Sequence, residues 1–228
     1  MHPALPAPPR KPPKRRAPPR YHHGDLPRAI REAALSAIAE VGPDGFTLRE
    51  VARRLGVSHA APYRHFKDKR ALMTALAAEG AELLGERISR ALDGAGEDLR
   101  ARFLAAAHAY VRFAVDERAR FLVTFFSADV DPEDPAMIAA RQRSYGVLLS
   151  FIDEAQRAGF FREGDASSLA TAIWGMHHGL AALASASGLD KLEHGGDLRA
   201  ISDAAHGWLL DGLVRKKARG RKRRTPAG

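Results

Sequence analysis

Apolar residues recur at helical spacing from about residue 26 to residue 213 of this 228-residue chain, and they predict an all-α fold. Two further observations agree. Segment after segment begins at an Asp or Thr suited to cap a helix and ends at Gly or Gly-Pro. The one run with strand character, Arg120-Phe-Leu-Val-Thr-Phe-Phe-Ser127, has no candidate partner strand elsewhere, so it too reads as a short buried helix.

In the first helix Asp25 is the cap and Pro27 sits in the opening turn, where its missing N–H costs nothing. Leu26, Ile30, Ala34, Ile38 and Val41 form its stripe, and Gly42-Pro43 ends it. Thr47 and Glu50 then make a T-x-x-E capping box. Leu48, Val51, Ala52 and Leu55 face inward from the second helix, leaving Arg49, Arg53 and Arg54 outward, and Gly56 stops it. After the Gly56-Val57 turn, Ser58 opens a third helix ending in Tyr63-Arg64-His65-Phe66, an arrangement that sets two helices steeply across each other. Pro62 forfeits about one intrahelical bond, which makes this helix tight and short. Asp68 caps the next helix, whose first turn presents Lys69 and Arg70.

Leu72, Leu76, Leu83, Ile88 and Leu92 carry that helix on to Gly94 and Gly96, with Gly80 and Gly85 inside it. Each of these two costs roughly 1 kcal/mol of helix propensity relative to alanine and permits close helix contacts or bending. The next stripe is Leu99, Phe103, Ala106, Tyr110 and Phe113, running toward Asp116. After the short buried helix comes a loop, Val130-Asp-Pro-Glu-Asp-Pro135. A long helix then follows, with Ile138, Tyr145, Leu148, Leu149, Ile152 and Ala155 inward, and ends at Gly159. Asp165 caps a helix with Leu169, Ile173, Met176, Leu180 and Leu183, and the last helix offers Leu198, Ile201, Ala205, Trp208, Leu209, Gly212 and Leu213.

Composition narrows the function classes. A hydrophobic share of 45% with 28% charged residues is that of a soluble globular chain. No apolar run nears the ~20 residues of a membrane span, and the Pro/Arg-rich start lacks the apolar centre of a secretory signal, so the expected location is the cytoplasm. Without cysteine there are neither disulfides nor thiolate metal sites. The net charge of +9 resides in the ends. Residues 1–20 carry six bases and residues 215–228 carry eight, with no acid in either; of the 36 bases, the 22 between them face 27 acids. Both ends read as disordered basic tails that supply solubility or non-specific phosphate contacts.

The pattern T-L-R-E-V-A-R-R-L-G-V-S, a short helix ending Y-R-H-F, then K-D-K-x-x-L, resembles the DNA-binding domain of the TetR family of transcriptional repressors. The resemblance covers residues 21–76, about a quarter of the chain. It implies an N-terminal three-helix helix-turn-helix DNA-binding domain at 21–76. It also implies a larger helical body at 77–214 for effector binding and dimerisation. Thr47, Tyr63, His65 and Lys69 match positions that contact phosphates, and Arg49, Ser58, His59 and Ala61 match positions that reach base edges or the thymine methyl. Pro62 departs from the usual make-up of that helix. Physically, phosphate contacts position such a protein while a few groove contacts specify sequence. Arg49 can pair bidentately with guanine, and His59 can donate to a purine nitrogen or a phosphate.

The resemblance further implies that the aromatic faces surround a small-molecule cavity, with Phe103, Tyr110, Phe113, Tyr145, Trp174 and His177 as candidate lining. Trp174-Gly-Met-His-His-Gly179 resembles the tryptophan–histidine–glycine signature of one subgroup of TetR C-terminal domains. Trp174 and His177 fit either an effector pocket or a dimer seam. Gly175 and Gly179 share a face and let another backbone approach. The two last helices look like the family's homodimer interface. Adjacent His177 and His178 point in different directions, and no H-E-x-x-H motif occurs, so no metal or cofactor is expected and His177 reads as a satisfied packing residue. No phosphate-binding glycine loop or nucleophile motif supports an enzyme. The leading reading is a ligand-responsive homodimeric repressor, activation using the same head; the alternative is non-specific, nucleoid-type DNA binding through the tails.

Overall fold

The computed structural model describes residues 25–186 and 197–214; both basic tails lie outside them. Among the described residues the chain forms eight α-helices and no strands, with one isolated bridge between Phe161 and Val214. No helix among them is long and apolar enough to cross a membrane.

Helix α1 spans Leu26–Val41, opened by Asp25, whose carboxylate accepts the Arg28 N–H at 3.3 Å. Ile30, Ala34 and Ile38 are buried as the stripe requires, whereas Val41 at the helix end is exposed. Helix α2 is Leu48–Leu55, and the Thr47 hydroxyl accepts the Glu50 N–H at 3.2 Å. Gly56 ends it in the left-handed region at φ 67°, where a side chain would strain the backbone. The turn that follows differs from the expected third helix. Only Pro62–Arg64 is helical, and it is a single 3₁₀ turn with no side-chain cap, Ser58 included. Pro62 has no N–H to return to the Ser58 carbonyl, which instead accepts from Ala61 at 2.9 Å. Tight three-residue bonding is what the missing donor leaves.

Helix α3, Lys69–Gly94, is capped by Asp68 and runs without interruption through the expected domain boundary at 76/77. Helices α4 (Leu99–Asp116), α5 (Arg118–Phe126), α6 (Pro135–Arg157), α7 (Ala166–Ser185) and α8 (Leu198–Leu213) complete the body. Helix α3 packs on α4, α5 and α6. Close approach is built into it: a Cβ at Gly85 would stand 3.0 Å from Ser144 Cα of α6, and one at Gly80 would stand 2.2 Å from Thr124 Oγ1 of α5. The missing side chain lets the α6 backbone approach at Gly85 and the Thr124 hydroxyl of α5 approach at Gly80, which offsets the helix propensity lost there.

Three apolar clusters form the core. The first joins Ile30, Ile38, Leu48, Val51, Phe66 and Leu72 of the N-terminal unit to Val123, Met137 and Ala140 of the body. Arg31 of α1 also reaches Glu79 of α3 at 2.7 Å. The second cluster centres on Phe103, Phe151, Phe161, Ile173 and Leu210, and the third on Leu84, Phe113 and Phe121. The first cluster thus spans the N-terminal unit and the body.

Helix α8 is turned differently from a helix that buries its apolar stripe. Its inward positions are Ser202, His206, Leu210 and Leu213, while Trp208 is 81% exposed. On α7, Leu183 is exposed and Gly175 and Gly179 face open space.

Candidate DNA interface and interior cavity

The three outward arginines of α2 have different fates. Arg53 lies on the Glu50 carboxylate at 2.8 and 2.7 Å. Arg54 reaches Glu50 at 3.2 Å and grips Glu40 of α1 through two 2.8 Å bonds. Arg53 and then Arg54 hold the Glu50 carboxyl down at about 2. The carboxylate half of the capping box therefore goes to these arginines. Arg49 remains exposed and without an ion pair among the described residues. Two guanidiniums are thus neutralised within the protein and one is left for an outside acceptor.

Ser58, His59, Tyr63 and His65 are all exposed, and Ala61 is half-buried. Buried Pro62 and Phe66 anchor the turn from below. Thr47 is exposed as well, and its hydroxyl, while accepting the Glu50 N–H, keeps its own proton for a phosphate. Lys69 is engaged elsewhere. Its ammonium is 3.0 Å from Asp129 and 5.0 Å from the centre of the Phe46 ring. Arg70 pairs with Asp131 at 3.4 Å, and the Asp131 N–H donates to the Thr74 hydroxyl at 2.9 Å. The α5–α6 loop therefore clamps the first turn of α3. The basic pair Lys69-Arg70 and the acids of the loop were both visible in the sequence, but nothing in their separation by some sixty residues announced the contact.

Inside the body lies a cavity of about 690 Å³, lined by α3, α4, α5, α6, α7 and the same loop. Five of the six candidate lining residues border it: Phe103, Tyr110, Tyr145, Trp174 and His177. Phe113 does not. It is fully buried in the third cluster, edge-on to Phe121 with the Arg87 guanidinium over its ring, because its position on α4 turns it away from the cavity. Arg141, Gln142 and Ser144 of α6, and Val130 and Pro132 of the loop, also line the cavity. Sequence reasoning followed aromatic stripes and so passed over them.

Polar groups at the α4–α7 wall form a short chain. Trp174 Nε1–H donates to the Tyr110 hydroxyl at 3.1 Å, and that hydroxyl lies 3.1 Å from His178 Nδ1, placed to donate its own proton. Burial pushes the Tyr110 phenol well above its ordinary range and lowers His178, so both stay neutral. His178 stacks on Trp174 and Phe126. His177 points the other way, its ring 5.9 Å from Phe103 and 4.7 Å from His206. This corrects one expectation: His177 Nε2 is buried with no hydrogen-bond partner among the described residues, and so is His206 Nε2. His206 directs Nδ1 to the Ser202 carbonyl at 2.7 Å. Burial, and then His206, push His177 down to about 3, so it is neutral near pH 7. Trp174 and His177 both border the cavity. Among the described residues no three His, Asp or Glu side chains gather as a metal cage.

Residues 30–76 match the bacterial regulatory proteins of the tetR family, and residues 103–205 match the tetracyclin repressor-like C-terminal domain. The tetracycline repressor class A from transposon 1721 of Escherichia coli is 39% identical over 84 residues, covering 37% of this chain and 38% of that protein. The chain spans about a third of the length of the tetracycline repressors it matches. An HTH-type transcriptional regulator of Mycobacterium tuberculosis, itself uncharacterized, is 30% identical over 152 residues, covering 63% of this chain and 74% of that one. A solved structure of a protein of unknown function from Rhodococcus sp. RHA1 superposes with TM-score 0.75 at 36% identity, covering 87% of this chain and all of that one.

Proposed function

This chain belongs to the TetR family of bacterial regulators, and from that premise we propose that it is a cytoplasmic, sequence-specific transcriptional repressor, homodimeric and released from its operator by a small molecule. The observation that carries the regulatory part is the shared loop. Val130 and Pro132 border the cavity, while Asp129 and Asp131 of the same loop hold Lys69 and Arg70 at the edge of the DNA-binding unit. A ligand that favours one placement of this loop differs in affinity between the two states of the head, which is the requirement for release.

In this reading Arg49 reads a base and Ser58, His59 and Ala61 sit at the groove. Thr47, Tyr63 and His65 hold phosphates. Lys69 joins them when it leaves Asp129. The exposed Trp208, Leu183, Gly175 and Gly179 of α7 and α8 meet a second copy, pairing two heads over half-sites about one helical turn apart. Phe103, Tyr110, Tyr145, Trp174 and His177 contact the effector. The Trp174–Gly179 segment groups the protein with the tryptophan–histidine–glycine type of C-terminal domain.

Selection of bound sequences from a random DNA pool tests the proposal. One enriched palindromic site should emerge, preferred over scrambled DNA by about a thousandfold, with Arg49→Ala and Tyr63→Phe weakening it in folded protein. The 14 basic residues of the two ends favour a second reading, non-specific DNA binding, which predicts no enriched site and equal affinity for random duplexes.

A further inference from the structure

The cavity has a one-sided charge pattern. Among the described residues its lining contains no Asp or Glu, and Arg141 is the only formally charged side chain there. His177 and Tyr110 are neutral for the reasons given above, and the Tyr110 hydroxyl is already engaged by Trp174 and His178. Leu84, Ile88, Leu148 and Phe151 make most of the remaining wall apolar.

Arg141 itself is under-used. One nitrogen donates to the Pro132 carbonyl at 2.9 Å, and no carboxylate among the described residues pairs with it. The acids nearest in sequence are committed elsewhere or lie off the lining. Asp129 holds Lys69, Asp131 holds Arg70, and Asp134 caps α6 by accepting from Ala136 and Met137. Glu133 does not line the cavity. A guanidinium has five N–H donors in a planar fork that fits a carboxylate. Here that fork stands at the exposed edge of an apolar chamber.

From this we infer that the effector is a largely apolar molecule bearing one carboxylate, its body in the chamber and its acid on Arg141. The inference rests on the ligand-responsive reading above and names the chemistry of that ligand. The acid draws the guanidinium toward itself and off the Pro132 carbonyl. Pro132 belongs to the loop whose Asp129 and Asp131 clamp α3, so the same contact that recognises the acid loosens the hold on Lys69 and Arg70. Cations are disfavoured, because they would meet Arg141 and no acid in the lining.

Three probes of equal chain length test this on the full-length protein: dodecanoate, dodecan-1-ol and dodecylammonium, each below its aggregation concentration and titrated calorimetrically. Dodecanoate should bind about tenfold tighter than the alcohol, the scale of a charge-assisted hydrogen-bonded pair, with the ammonium weakest. Arg141→Gln, an exposed position on α6, should weaken the acid and bring acid and alcohol to within about twofold, with far-ultraviolet circular dichroism confirming that the variant is folded. Equal affinity for all three, preference for the ammonium, acid preference that survives Arg141→Gln, or binding of none overturns the inference. Operator affinity of the ligand-free protein is measured alongside. Specific DNA binding without acid preference removes this inference alone, whereas loss of specific DNA binding removes the regulator reading.

Discussion

The buried His177 makes stability depend on pH in a way that can be worked out from the structure. Burial and the neighbouring His206 hold its conjugate acid at about 3, against 6.5 for an unperturbed histidine. At pH 5 the unfolded chain therefore carries a proton on this residue that the folded chain does not. Because the unfolded state binds more protons, stability is full above pH 6.5 and is lost as pH falls toward 3. The pKa difference corresponds to about 2 kcal/mol at pH 5 from this residue alone. His206 and His108 are also lowered by burial and add in the same direction. Around His108, Arg199 and Arg112 add to the lowering by burial while Asp203 and Asp116 oppose it. Urea unfolding followed by far-ultraviolet circular dichroism at pH 7.5, 6 and 5, at one protein concentration, measures the effect. His177→Phe keeps a ring between Phe103 and His206 but cannot take a proton, so its loss of stability between pH 7.5 and 5 should be smaller than the parent's by about 2 kcal/mol. A parent whose midpoint does not move between pH 7.5 and 5, or a variant with the parent's full slope, would refute the reasoning.

Asp129→Asn releases Lys69 at a cost of less than about 1 kcal/mol, since the pair is partly exposed; in salt titrations DNA binding should tighten and its salt slope steepen by about one unit. An unchanged slope would show that Lys69 stays off the phosphates. Trp208→Arg places a charge where an 81% exposed indole now stands, and light scattering should find a dimer for the parent and a monomer for the variant. Gly85→Ala gains about 1 kcal/mol of helix propensity but drives a Cβ to 3.0 Å from the Ser144 backbone, an overlap of the kind that costs about 1–3 kcal/mol. Its urea midpoint should fall or stay level, and a rise would mean that α3 and α6 can part without penalty.

Much of the architecture was legible before any coordinates. The caps Asp25, Thr47, Asp68 and Asp165 are local devices, a side chain meeting an N–H three residues on, and all four accept as expected. Helical stripes are local as well, which is why Ile30, Ile38, Leu72 and Ile173 are buried where their spacing places them. Local logic overreached at Ser58–Phe66, where the pattern of a helix met a proline without an N–H and one 3₁₀ turn resulted.

By itself, then, the sequence determined the all-helical class, the order of the helices and the family, because each depends on residues a few positions apart. Only the tertiary structure decided which charges were spoken for. Arg53 and Arg54 are quenched by Glu50 and Glu40 while Arg49 is spared, and Lys69 and Arg70 are held by acids some sixty residues away. It also decided that Phe113 turns from the cavity and Arg141 borders it, and that α8 buries His206 and shows Trp208 to solvent. Partner choice and facing are set by how helices dock against one another, and no spacing along one helix specifies what lies across from it.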